Sequence, residues 1–231
     1  TSAAGTSWEC DLNSVVSPPP ASASASASGD GLPEGPDWFD VAHVDDLDGL
    51  VCISRRGAIV TVEKGDGRPE LVGEFENGIE AALWSPDREV LALYTHTAAD
   101  GDDPGAGQVP ALMTMNAQFE VLAEVVTEDD VPRGGGSGGG SGAGGAGADP
   151  DPDASVAMCW RPDGTAVAVS SVDSADGVRR IRTYGREELA LQAVGRSEDG
   201  SGRTVPNLLP TSGISWAGLG CSQLLVAVQR K

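Results

Sequence analysis

Basic residues are scarce in this chain. Fifteen Lys and Arg face thirty-five Asp and Glu, a formal net charge of −20. Broad phosphate binding needs clustered Lys and Arg to displace counterions. A general nucleic-acid surface is therefore excluded, and only a small local basic patch remains open. Aromatics are few as well, with 5 Trp, 2 Tyr and 3 Phe in 231 residues. Histidine is limited to His43 and His96. The four cysteines (Cys10, Cys52, Cys159, Cys221) are far apart, with no CxxC and no His/Cys cluster. That spacing argues against zinc, and no metal ligand set is expected. The thiols read as reduced, mostly buried small apolar groups of a cytosolic protein. No apolar run approaches the roughly 18–20 residues of a membrane span, so no membrane partner is expected. The N-terminus lacks the charged, then apolar, then small-residue pattern of a secretory signal.

Glycine and proline, by contrast, are plentiful, at 32 and 15, which excludes a continuous helical bundle. Three stretches hold too little apolar surface to offset the entropy of ordering them. They are 1–36, with Pro18-Pro19-Pro20 and an Ala/Ser alternation, then 98–108, acidic and Gly-rich, and 134–153, a Gly/Ser tract ending in Asp-Pro repeats. The first is expected as a disordered low-complexity tail and the other two as flexible insertions. The remainder, 37–231, is expected as the folded part.

That part consists of short apolar runs separated by turn residues. Examples are Leu50–Ser54, Ala58–Glu63, Ile79–Trp84, Val90–Thr95, Ala166–Ser171 and Arg179–Tyr184. Most are four to eight residues long, rich in Val, Ile, Leu and Thr, and none carries a helical stripe. The pattern predicts consecutive antiparallel strands joined by tight turns.

An internal repeat narrows the architecture. Ala81 to Leu83 leads into Trp84-Ser85-Pro86-Asp87, and Val156 to Cys159 leads into Trp160-Arg161-Pro162-Asp163-Gly164. Each is followed by an apolar strand. Pro presets φ at the first turn position, Asp bonds its own backbone, and Gly164 supplies a positive φ. A weaker third copy surrounds Trp216. With the two internal insertions set aside, the spacing of the first two copies is about 45 residues, the period of a four-stranded propeller blade. The expected fold is all-β, a partial WD40-like β-propeller of three to four blades carrying disordered insertions. A propeller closes with typically 4–8 blades, so an open edge is expected. A β-sandwich is the alternative, but it leaves the repeated Trp-x-Pro-Asp turn unexplained.

Catalytic chemistry finds little support. Gly135-Gly136-Ser137-Gly138-Gly139 matches a nucleophile elbow in letters only, because polyglycine replaces the strand and helix that the elbow requires. The acidic runs at 45–46, 128–130 and 149–153 lack an EF-hand pattern and read as solvated charge. No catalytic residue and no cofactor site is expected. One basic cluster stands out, Arg179-Arg180-Ile181-Arg182 with Arg186 nearby. Strand alternation puts Arg180 and Arg182 on one face and Arg179 and Ile181 on the other. These arginines are candidates for contacting a phosphate or an acidic partner; the alternative is that they neutralise carboxylates of the same acidic domain.

The run Asn77 to Leu93, with Leu112-Met113-Thr114-Met115-Asn116-Ala117-Gln118-Phe119-Glu120, resembles the N-terminal propeller of the largest, scaffold subunit of the Elongator complex, the IKAP family. The likeness resumes at Cys159–Gly164 and Val178–Glu187, and Leu50 to Val62 fits an earlier blade. The resemblance implies a non-catalytic scaffold that supports modification of the tRNA wobble uridine through protein–protein contacts. Its implied partners are the other Elongator subunits. Any tRNA contact belongs to the whole complex rather than to this acidic segment alone. The implied location is the cytoplasm, with the nucleus as an alternative. Two other functions fit a propeller: the propeller domain of a prolyl-oligopeptidase-like hydrolase, and an unrelated WD40 adaptor.

Overall fold

Strands dominate because the apolar runs are β-branched and bounded by turn formers. The structure, a computed structural model, describes residues 9–16, 38–98, 108–128, 156–173, 179–196, 214–216 and 224–226. Among these there is no α-helix, only two 3-10 turns and fourteen strands. The first eight strands are β1 (Trp38–Val44), β2 (Gly49–Ser54), β3 (Ala58–Glu63), β4 (Pro69–Glu74), β5 (Ile79–Trp84), β6 (Val90–Ala98), β7 (Gln108–Asn116) and β8 (Val121–Val126). The rest are β9 (Ala157–Trp160), β10 (Ala166–Val172), β11 (Arg179–Gly185), β12 (Leu191–Arg196), β13 (Ile214–Trp216) and β14 (Leu224–Val226). They form antiparallel meanders in chain order: β1-β2-β3-β4, β5-β6-β7-β8, β9-β10-β11-β12 and the pair β13-β14. Two compact units divide the chain, 1–79 with 117–119 and 80–116 with 120–231.

In the first unit, the pleat sorts β2 and β3 into two apolar faces. Val51, Ile53 and Ile59 lie on one, fully buried, and Cys52, Val60 and Val62 on the other. The second face is covered by residues 9–16: Cys10, Leu12, Val15 and Val16 pack on it together with Trp38, Leu50 and Leu71. The expectation of a coreless tail over 1–36 is corrected here. Four apolar residues in seven are enough to hold a short segment against a sheet face, and Ser14 closes its 3-10 turn by donating to the Asp11 carbonyl at 3.2 Å. Residues 1–8, 17–37 and the expected insertion at 134–153 lie outside the described residues, as do 99–107 of the expected insertion at 98–108, whose end residues Ala98 and Gln108 belong to β6 and β7. The β2–β3 turn depends on Gly57, at φ 100°. A Cβ there would stand 2.0 Å from the Phe75 carbonyl oxygen.

The second unit builds the same turn twice. In the β5–β6 turn, Arg88 N–H donates to Ser85 O at 2.9 Å and Ser85 N–H to Val90 O at 2.7 Å. In the β9–β10 turn, Gly164 N–H donates to Arg161 O at 2.8 Å and Arg161 N–H to Ala166 O at 2.8 Å. Asp87 and Asp163 each accept the N–H two residues on, from Glu89 and Thr165, at 3.1 Å. The fourth turn residue is left-handed in both, Arg88 at φ 64° and Gly164 at φ 70°. Arginine pays a steric cost there that glycine avoids, partly offset by glycine's larger unfolded entropy. Arg88→Gly is therefore expected to raise stability by about 0.5–1 kcal/mol, read as a higher urea midpoint at unchanged slope.

Candidate interaction surface

Three features of the second unit involve the residues singled out from the sequence. The first is a ladder of indole hydrogen bonds. Trp160 is buried and donates Nε1–H to the carbonyl of Leu83 at 3.0 Å. Trp216 donates Nε1–H to the carbonyl of Cys159 at 3.4 Å. Leu83 and Cys159 immediately precede Trp84 and Trp160, so each Trp reaches the same point of the preceding repeat. Around the first rung, Val90, Ala92, Tyr94 and Leu112 of one sheet pack with Val167, Val169 and Tyr184 of the next. The tyrosine is tied in by polar bonds. Burial pushes the Tyr94 hydroxyl up, against hydrogen bonds with Ser171 and Thr127 that pull it down.

The second feature is the arginine cluster, and it faces inward. Arg180 and Arg182 both bind the Asp173 carboxylate. Arg182 does so as a fork, Nη1 and Nη2 each 2.8 Å from a carboxylate oxygen. Asp173 is fully buried, and Arg182 is 1% exposed. Arg179, on the other face, donates to the Ser170 carbonyl and hydroxyl at 3.3 Å. Alternation is as the sequence predicts: Tyr184 shares the face of Arg180 and Arg182, and Ile181 packs against Ala157, Ala168 and Ile214. The candidacy of Arg179, Arg180 and Arg182 as partner or phosphate contacts needs correction. All three are buried, with Arg180 and Arg182 paired to Asp173 and Arg179 bonded to Ser170, and a buried cation must find such partners inside the chain.

Arg186 forms the third feature. It stands just beyond β11 and reaches the turn of the preceding repeat, binding Asp87 and, at 2.9 Å, Glu89. Burial pushes the Asp87 carboxyl up, but hydrogen bonds from Ser85, Arg186 and the Glu89 N–H, with the Arg186 charge, hold it below its ordinary value. The corresponding Asp163 is exposed. Its carboxyl is held low by the Thr165 hydroxyl at 2.7 Å and the Thr165 N–H, with a smaller pull from Arg161. Arg161 Nε lies 3.1 Å from Asp163 without hydrogen-bond alignment, and its guanidinium lies over the Trp216 ring at 5.8 Å. Beside the clasp is a surface hollow of about 430 Å³ lined by Thr165, Gly185, Arg186, Glu187, Glu188 and Ala190.

Among the described residues, no group of three or more His, Cys, Asp or Glu is placed to hold a metal. His43 Nδ1 lies 3.3 Å from Asp45, and His96 Nδ1 lies 3.4 Å from Glu80. Among the described residues, no helix is long and apolar enough to cross a membrane. The Gly135–Gly139 motif and Cys221 lie outside the described residues. Sequence reasoning missed Asp173 and the Trp indole acceptors. Asp173 carries a signal, an acid just past the end of a strand that pairs with the one bearing three arginines, but only once the β10–β11 pairing is known. The carbonyl acceptors carry none.

Residues 14–134 match the family model for the ELP1 first N-terminal beta-propeller. The chain belongs to this family. The four-stranded meanders are accordingly propeller blades, and the chain is a partial propeller. Among curated relatives, the family's Elongator complex protein 1 from Rattus norvegicus is 31% identical over 192 residues, covering 74% of this chain. The protein of the same name from Mus musculus is 32% identical over 192 residues, and that from Schizosaccharomyces pombe is 27% identical over 181. The chain spans 13% of the length of each of these relatives.

Proposed function

We propose that this propeller segment works as a non-catalytic scaffold element of Elongator, supporting modification of the tRNA wobble uridine through protein–protein contacts in the cytoplasm. The observation that carries the reading is the family match over residues 14–134, backed by relatives named Elongator complex protein 1. Burial of Arg179, Arg180 and Arg182 supports contacts with proteins over contacts with tRNA phosphates. The net charge of −20 supports the same choice.

The test uses the full-length gene product, tagged and purified from cells, with mass spectrometry of what accompanies it and an assay of wobble-uridine modification in cells lacking it. The expected result is recovery of the other Elongator subunits and loss of the modification. Recovery of none of them, with the modification intact, overturns the reading.

A further inference from the structure

Two of the four cysteines share one apolar cluster in the first unit. Cys52 lies on β2, with its side chain on the face that also carries Val60 and Leu71, its neighbours across β3 and β4. Cys10 is packed on that same cluster, brought there by Leu12, Val15 and Val16. Both thiols are free, Cys52 buried and Cys10 half-buried. Nothing in the Elongator reading uses them.

We propose that Cys10 and Cys52 are a thiol–disulfide pair whose oxidation by a low-molecular-weight disulfide fastens residues 9–16 to the face of the β1–β4 sheet. Among the described residues, apolar packing of Cys10, Leu12, Val15 and Val16 and a 3-10 turn hold the segment non-covalently. A covalent bond at Cys10 converts that docking from an equilibrium into a fixed attachment, and a reducing environment releases it.

The chemistry balances in two exchanges. The Cys10 thiolate attacks one sulfur of the small disulfide R–S–S–R, forming a mixed disulfide and expelling one thiolate. Cys52 then gives up its proton and attacks the Cys10 sulfur, closing the Cys10–Cys52 bond and expelling the second thiolate. The expelled thiolates take up the two protons. Both cysteines are oxidised and one R–S–S–R is reduced to two R–SH. Cys10 is the entry point because it is the more exposed of the two. Cys52 is the slow partner, since its thiol is pushed up to about 11 chiefly by burial, which persists once Cys10 is capped. Only the thiolate attacks, so below that value the closing step should accelerate about tenfold for each unit of pH.

The test incubates the purified full-length gene product with oxidised glutathione from pH 7 to 9, quenches with acid and maps disulfides by mass spectrometry. A Cys10–glutathione adduct should appear first and convert to a Cys10–Cys52 link, about a hundredfold faster at pH 9 than at pH 7. Cys52→Ser should stop the reaction at the adduct, and Cys10→Ser should abolish the link. Hydrogen exchange at residues 9–16 should slow on oxidation of the unaltered protein and not of Cys52→Ser. A Cys10 adduct that persists at pH 9 without linking to Cys52, or a link that leaves exchange at 9–16 unchanged, overturns the proposal.

Discussion

Asp173→Asn is expected to cost about 3–5 kcal/mol of stability. The substitution keeps the shape of the side chain and removes the charge. It leaves Arg180 and Arg182, both buried, facing a neutral amide that has one acceptor oxygen where the carboxylate had two. A guanidinium cannot shed its proton to escape, so the protein bears the desolvation of both cations without their counter-charge. Urea unfolding of the variant should show the midpoint falling with little change in slope. An unchanged midpoint would mean that the cluster is solvated in solution. The effect should shrink when the same substitution is made beside Arg180→Met, because one stranded cation is then gone. That non-additivity separates a charge cluster from a simple packing defect.

Trp160→Ala comes next, at about 3–5 kcal/mol from the cavity and lost burial. Trp160→Phe divides the effect. Phenylalanine retains much of the ring and loses the N–H, so the Leu83 carbonyl loses a partner at a cost of about 1–3 kcal/mol. Trp216→Phe should matter less, since its ring is only partly buried and its hydrogen bond is longer, at 3.4 Å. Thermal unfolding of the three variants should rank Trp160→Ala, Trp160→Phe, Trp216→Phe in order of falling loss. Equal losses from the two phenylalanine substitutions would contradict the ladder as described.

Much of this architecture was legible in the order of residues. β3 and β5 coincide with the apolar runs Ala58–Glu63 and Ile79–Trp84, because both are bounded by turns and rich in buried aliphatics. β6 and β7 run longer than their apolar segments, to Ala98 and from Gln108. Cross-strand pairing carries polar residues such as His96 and Thr97 along once the hairpin has formed. β1 and β4 gave no apolar run. Trp38–Val44 is interrupted by Asp40 and His43, and Pro69–Glu74 contains a Pro, a Gly and two Glu. Both are first or last strands of a sheet, where pairing on one side relaxes the demand for burial.

The site was less legible for a related reason. The split of Arg180 and Arg182 from Arg179 follows from alternation alone. Their commitment to Asp173 follows from register, Ser171 opposite Arg180, which depends on a hairpin length that the letters do not announce. That Cys10 and Cys52 share one cluster is further still from the sequence. It rests on a 3-10 turn folding back onto a sheet face across a long Pro/Ala/Ser stretch.

The indole ladder also bears on how such a protein arises by duplication. Its acceptor is a main-chain carbonyl, present whatever residue occupies position 83 or 159, and its donor is one Trp at a fixed place in the unit. A single ancestral unit holding that Trp already carries both halves of the joint. A tandem copy would dock on its parent in correct phase from the first generation, with no compensating change. The residues at the acceptor could then drift freely, as Leu83 and Cys159 illustrate, without unlocking the stack.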